Sequence, residues 1–219
     1  MITFEQIKND PSVRTYIKKA DESLSAMGYT EHSFAHVTKV AENAKYILRT
    51  LNYPESEIEL AQIASYLHDI GNIINRTDHA HTGAAMAFSL LNNMGGEPEE
   101  IASIITAIGN HDEKTAVTVD HITAALILSD KTDVRRSRAR KQDFTEFDIH
   151  DRVNYSAIKS VISINDKHTE IELNLTVDTH YCSVMDYFEI FLGRMILCRK
   201  AAEKLGLVFK LVINNQYLM

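Results

Sequence analysis

Six residues have types that could do chemistry together: His36, the adjacent pair His68 and Asp69, His79, His111 and Asp130. Neutral imidazoles and carboxylates converging on one point make a nest for a divalent cation. A single His-Asp pair arises often by chance. Here each member lies in or beside a segment with helical hydrophobic periodicity, so a bundle of helices could bring all six to one place. Neighbouring residues on a helix stand about 100° apart, so His68 and Asp69 at a helix end can both lean toward one point.

The elements that must position these residues follow from the apolar spacing. Leu60, Ile63, Ala64 and Leu67 form the helix that ends at the pair. Ser56-Glu57-Ile58-Glu59 reads as a capping box at its start, and Gly71 as the residue that leaves it with positive φ. Upstream, residues 1–28 read as helical, with Asp10-Pro11 as a helix start and Val13, Ile17, Ala20 and Leu24 as a core face. His36 lies at the edge of the stripe Val37, Val40, Ala41, Ala44, Ile47, Leu48 and Leu51 on a helix over 32–51. His32, near the start of that helix, is expected to face solvent. Asp78-His79-Ala80-His81 opens another helix, and a helix start also suits an anion. Glu97-Pro98 begins a helix that buries Ile101, Ile104, Ile105 and Ile108 and ends at Gly109. His111 then falls in a loop suited to projecting inward, with Asp112 as its hydrogen-bond acceptor. Asp120 caps a helix expected to reach Ser137. Asp130 sits on that helix near Ile122, Ala125 and Leu126, and burying a carboxylate alone costs several kcal/mol, so it needs a partner. Asp133, one turn on, is the fallback ligand. Arg135, Arg136, Arg138, Arg140 and Lys141 follow. Such a run either holds substrate phosphates, with Arg135 and Arg138 the candidates, or forms a solvated face.

The pattern changes after residue 150. Ile158, Ile162 and Ile164, then Ile171, Leu173, Leu175 and Val177, alternate with polar residues across a hairpin at Asn165–His168. A helix over 183–205 follows, with Phe188, Phe191, Leu192, Met195, Ala202 and Leu205 on one face, then a strand over 207–213. The expected architecture is mainly α: a helical bundle over 1–149, then a small β-β-α-β module over 150–219. That module is too small to bury its sheet alone, so it docks on the bundle or on a second copy, and a homodimer through it is one expectation. The chain has 219 residues, 45% apolar and 24% charged, with a formal net charge of −7. That balance argues against a nucleic-acid or membrane-surface binder. Two cysteines, Cys182 and Cys198, read as reduced core residues. Residues 1–10 carry Glu5, Lys8 and Asp10, unlike a signal peptide, and no apolar run approaches membrane-spanning length. The expected location is the cytoplasm.

The order His36, His68-Asp69, Asp130, with the contexts His36-Val37-Thr38-Lys39-Val40-Ala41, Leu67-His68-Asp69-Ile70-Gly71 and Leu128-Ser129-Asp130-Lys131, resembles the HD-domain metal-dependent phosphohydrolases over roughly residues 30–140. The resemblance implies that His36, His68, Asp69 and Asp130 hold one metal. His79 and Gly83 are spaced as in a His-x-x-x-Gly element of members that hold two or more metals, which favours His79 over His81 as a ligand and leaves His81 as a substrate contact. The two-metal members also have a histidine in the context of His111, so His79 and His111 make room for a second ion, with Asp69 bridging. Many relatives have lysine where Asn72 stands, and Arg76 is the candidate to supply the missing charge.

The chemistry implied is hydrolysis of a phosphoester or phosphoanhydride of a nucleotide or a related small phosphorylated metabolite. A metal-activated water would be the nucleophile, with His68 and Asp69 at its centre. Mixed nitrogen and oxygen ligation suits a transition metal, with iron or manganese favoured and zinc, cobalt or nickel in range. The contexts of His79 and His111 look most like bacterial HD enzymes that split dinucleoside tetraphosphates. The Gly-Tyr-Pro segment of cyclic-dinucleotide phosphodiesterases and the Glu-Asp pair of stringent-response hydrolases are missing. The alternative is a regulatory HD protein that binds a nucleotide or metal without turnover. A structural metal site fits poorly, because structural zinc normally uses four ligands, often thiolates.

Overall fold

The computed structural model describes residues 2–140, 147 and 149–218. A short helix α1 (Phe4–Asn9) and a longer one, α2 (Pro11–Ala26), come first, joined at Asp10. The Asp10 carboxylate accepts from the Ser12 and Val13 amides at 2.8 and 2.9 Å, the cap its sequence implies. The bundle continues with α3 (Phe34–Thr50), α4 (Glu55–Leu67), a 3₁₀ turn (Ile70–Ile73), α5 (His79–Asn93), α6 (Pro98–Gly109) and α7 (His121–Lys131). Their apolar faces form one continuous buried cluster, from Ile7 and Val13 through Val40, Ile63 and Leu67 to Ile104 and Leu126.

A second element group follows: α8 (Ile149–Ser156), β1 (Ala157–Ile164), β2 (Glu170–Val177), α9 (Val184–Lys204), β3 (Val208–Ile213) and the two-residue β4 (Gln216–Tyr217). The sheet order is β1-β2-β3-β4. β1 and β2 form an antiparallel hairpin, whereas β2 and β3 run parallel, Leu173 opposite Leu211. A parallel pair cannot be joined by a tight turn, so α9 makes the crossover. One sheet face is buried, through Ile171, Leu173, Leu175 and Val177. It shares a core with Tyr187, Phe191, Met195 and Cys198 of α9, and with Ile47, Ala124, Ile127 and Leu128 of α3 and α7. β1 is also pinned to the bundle by polar bonds. Ser160 Oγ donates to the Thr132 carbonyl at 2.6 Å, and the Ile164 amide donates to the Tyr46 hydroxyl at 3.0 Å. No helix among the described residues is long and apolar enough to cross a membrane.

Several local expectations need correction. No capping box opens α4: the helix starts at Glu55 after Pro54, without a side-chain cap. Glu59 is instead drawn to the start of α1, where it accepts the Phe4 amide at 2.7 Å. Gly71 does not have positive φ; the glycines that do are Gly28, Gly95 and Gly206. Gly71 is needed for room, since a Cβ there would lie 2.0 Å from the His79 carbonyl oxygen and 2.5 Å from the Gly83 amide. Helix α7 stops at Lys131 rather than near Ser137, because Asp133 turns back to meet His36. On α9 the buried stripe is Tyr187, Phe191, Met195 and Cys198, while Leu192 is 48% exposed. Phe191, Met195 and Ala202 of the expected face are buried, and Phe188 and Leu205 pack at its edge, so only Leu192 falls outside the face clamped between α7 and the sheet. The helix α8 was not foreseen.

Candidate metal centre

Five imidazoles meet at the junction of α3, α4, α5, α6 and α7, and each is held the same way. Nδ1 of His68 lies 2.7 Å from the Ser65 carbonyl, Nδ1 of His79 3.1 Å from that of Arg76, and Nδ1 of His111 2.6 Å from that of Ile108. His32 has Nδ1 2.6 Å from the Thr30 carbonyl, and His36 has Nδ1 2.8 Å from Asp133 Oδ2. A carbonyl or carboxylate oxygen only accepts, so Nδ1 carries the hydrogen and the Nε2 lone pair is left over. Three of these carbonyls belong to the residue three positions back; those of Ser65 and Ile108 lie in the last turns of α4 and α6, where a helix leaves its final carbonyls without a backbone donor.

The Nε2 atoms meet carboxylates. Nε2 of His68 is 3.0 Å from Asp69 Oδ2 and 3.7 Å from Asp130 Oδ1, and Nε2 of His36 is 3.3 Å from Asp130 Oδ1 and 3.7 Å from Asp69 Oδ2. Nε2 of His79 stands 3.6 Å from the other Asp69 oxygen, Oδ1. The rings of His68 and His111 are 4.9 Å apart and perpendicular, and those of His79 and His111 are 5.1 Å apart. Two triads, His36-His68-Asp130 and His68-Asp69-His111, each bring their ligand atoms within 4.8 Å of one another. Nε2 of His36 and of His68 is buried and makes no hydrogen bond among the described residues. Buried nitrogens are rarely left unpaired, and a cation is the partner that mixed imidazole and carboxylate donors fit.

The two carboxylates dominate the charge of the site. Burial alone would push the His68 imidazole down, but Asp69 and Asp130 outweigh it and lift its pKa to about 10, so without a metal Nε2 takes up a proton that a bound cation would displace. Burial would likewise raise Asp69, yet the charge of His68 holds it well below the usual carboxylate range. Asp130 is held down against burial by Lys131, whose Nζ donates to Asp130 Oδ2 at 2.6 Å, and by His36 and His68. Burial lowers His32, His79 and His111, keeping them neutral and able to ligate. Asn72 is fully buried and donates to Asp69 Oδ1 at 2.8 Å and to the Asp69 carbonyl at 2.9 Å. It orients the aspartate rather than facing a ligand.

The centre opens into a cavity of about 270 Å³, with Asp69, His79, His111 and Asp130 on its floor. Arg76 and Arg138 line its wall, with Nη1 of Arg76 3.8 Å from Asp69 Oδ1. Arg138 has its Nε on the Glu31 carbonyl at 2.9 Å and its Nη1 on the Asp133 carbonyl at 2.7 Å. The remaining candidates lie elsewhere. His81 is exposed beside Asp78 and borders an adjoining groove. Arg135 turns to Asp133 at 2.8 Å and lines a separate shallow groove beside Phe34. Arg136 and Arg140 are bound to Asp178 and Asp21, and Lys141 lies outside the described residues. Asp133, the fallback ligand, steers His36 from behind, and the Ile108 carbonyl takes the role expected of Asp112.

Four contributors stand outside the residues that the sequence singles out. His32 lines the cavity, its ring 5.4 Å from that of His36; the four-residue spacing was the available signal. Lys131 was in view as the neighbour of Asp130. Phe191 and Arg194 reach the cavity from α9, and no local pattern announces that.

Comparison with known proteins agrees with this geometry. The HD domain family model matches residues 33–190. The chain is 28% identical over 163 residues to the uncharacterized protein MJ1020 of Methanocaldococcus jannaschii, covering 64% of this chain and 62% of that relative. It thus spans less than two thirds of the relative's length. A predicted HD superfamily hydrolase from an uncultured Thermotogales bacterium, of known crystal structure, is 25% identical with a TM-score of 0.43, covering 62% of this chain and 75% of that one. HD domains bind divalent metals, and the clustered histidines and aspartates of this chain are residues that could hold one. With a His-Asp pair at the end of α4, further histidines and an aspartate gathered around it, and a family match over more than half of its length, this chain belongs to the HD-domain family.

Proposed function

We propose that the protein is a metal-dependent phosphohydrolase acting on a phosphoester or phosphoanhydride of a nucleotide or related small metabolite. The observation that carries this is the shared posture of the imidazoles, each with Nδ1 tied back, at a floor containing Asp69 and Asp130 and beneath a wall that bears Arg76, Lys131, Arg138 and Arg194. His36, His68, Asp69, His79, His111 and Asp130 would hold the metal, a transition ion such as iron or manganese. The two oxygens of Asp69 face different histidines, which supports a pair of ions with Asp69 between them. When bound, such a cation supplies Lewis acidity toward a phosphoryl oxygen and acidifies water near neutral pH. The chain's own contributions are separate. Asn72 and Lys131 each fix one carboxylate oxygen of the floor aspartates. The arginines neutralise the charge of a phosphorylated substrate. The small cavity favours a small molecule over nucleic acid.

The test is metal analysis beside phosphate release from nucleotides and simple phosphoesters, for wild type and Asp69→Ala. One or two transition ions per chain, lost in the variant together with release, is the expected result. Retained metal with no turnover on any substrate would favour a regulatory binding protein instead. No metal after anaerobic reconstitution would end the proposal.

A further inference from the structure

The inner cavity adjoins an outer groove of about 350 Å³. Tyr29, Arg76, Lys131 and Arg194 line both spaces and so form the wall they share. Three of those four residues are cations. The fourth cation of the inner cavity, Arg138, borders only that space, and its Nε and Nη1 are already committed. The two guanidiniums of the shared wall differ from it. Arg194 stacks at 4.6 Å on the Phe191 ring and gives only its Nε, to Glu113 Oε2 at 2.9 Å. Arg76 lies 5.6 Å from the Tyr29 ring centre and uses only Nη1. Each is therefore fixed in position by a ring and by polar contacts through a single nitrogen, with donors to spare among the described residues. Beyond the wall the outer groove mixes Asp78, Asp112 and Glu113 with His81 and Lys114, so positive charge is concentrated at the wall.

We propose that this wall selects a phosphoanhydride. The attacked phosphoryl group lies in the inner cavity, a second phosphate lies against Arg76, Lys131 and Arg194, and an uncharged remainder extends into the outer groove. This rests on the phosphohydrolase reading and narrows its substrate class. The leaving group supplies the chemical reason. Guanidiniums stay protonated at ordinary pH, so they neutralise a departing anion but give it no proton. An alkoxide needs that proton, whereas a phosphate, with a second pKa of about 6, departs as a stable anion. In the step, a bond forms from the oxygen of water to phosphorus, and the bond from that phosphorus to the anhydride oxygen breaks. Its electron pair stays on the departing phosphate; one proton of the water remains on the inorganic phosphate and the other passes to solvent.

Two measurements on the metal-loaded protein test this. Titration calorimetry compares α,β-methylene-ADP, which resists hydrolysis, with AMP, and phosphate release compares ADP, AMP and p-nitrophenyl phosphate. Wild type is expected to bind the analogue more tightly than AMP by about tenfold or more, the effect of one charge-assisted hydrogen bond. Arg194→Gln should erase most of that preference, Arg194→Lys should keep part of it, and the ratio of kcat/KM for ADP to that for p-nitrophenyl phosphate should fall in parallel. Equal affinity for the analogue and AMP, or an unchanged preference in Arg194→Gln, overturns the assignment. Turnover of p-nitrophenyl phosphate would then leave the phosphohydrolase reading standing. No release from any of the three compounds overturns both.

Discussion

Four imidazoles of the metal centre and two arginines of the segment after α7 are held in opposite ways. His32, His68, His79 and His111 lean on carbonyls two or three positions back in the chain. Arg138 and Arg140 reach the carbonyls of Glu31 and Tyr29, 107 and 111 positions away. The first arrangement is a property of helix ends and turns, complete as soon as each forms. The second is a clasp that ties the loop before α3 to the segment after α7, and it exists only once the bundle has closed. His36 belongs to both classes: it rides on α3, but its partner Asp133 is 97 positions away. The comparison teaches that ligand direction is set locally, while the surroundings of the cavity depend on tertiary closure.

The comparison can be broken or sharpened by substitution, beginning with the largest effect. Gly71→Ala attacks the local side. Its Cβ would meet backbone atoms at 2.0 and 2.5 Å, so chemical denaturation should show a loss of about 3 kcal/mol or more, at the top of the overpacking range. Arg138→Met attacks the clasp. It strips donors from two carbonyls and a cation from beside buried Asp133, a loss of about 2–4 kcal/mol that the same assay reads. Asp133→Asn singles out the hybrid, His36. Metal affinity should fall by about 10–100-fold, the usual penalty for losing a partner that orients a ligand, as competition with a chromophoric chelator would report. An unchanged affinity would mean that His36 needs no remote support.

A smaller effect distinguishes the second core. Burial pushes the Cys198 thiol up to about 12. In the unfolded chain it ionises near pH 8.5, so above that pH the native state binds the extra proton and stability falls as pH rises, by at most about 1.4 kcal/mol per unit. Stability curves between pH 8 and 10 should therefore be flatter for Cys198→Ala than for wild type. The smallest effect is a gain. Gly193 sits inside α9, and a Cβ there would meet nothing within 4 Å, so Gly193→Ala should stabilise by about 0.5–1 kcal/mol in thermal melts.

The same division explains what was legible in the sequence. The helices that bring His36, His68, Asp69, His79, His111 and Asp130 together follow from apolar spacing, and so does the β-β-α-β order of the last segment, because both are short-range patterns. The sequence offers Asp133 only as a fallback ligand and Asp112 as the group that orients His111, since sequence distance says nothing about which acceptor an imidazole finds. His32 was placed in solvent because its shelter comes from elsewhere in the fold. Arg135 and Arg138 read as one basic run, yet one faces a shallow groove and the other is buried at the cavity. That split depends on a 3₁₀ turn at Arg136–Arg138 held against distant carbonyls.

The contact between Gly71 and Gly83 has a consequence for ions of different size. His68 and His79 stand on either side of a backbone-to-backbone approach with no side chain to give way. Their spacing is a hard wall. Asp69 and Asp130 are each anchored through one oxygen, by Asn72 and by Lys131, and keep a terminal torsion. They are the soft wall. Ions of different size would then be accommodated by turning these carboxylates, while the imidazole framework keeps its dimensions.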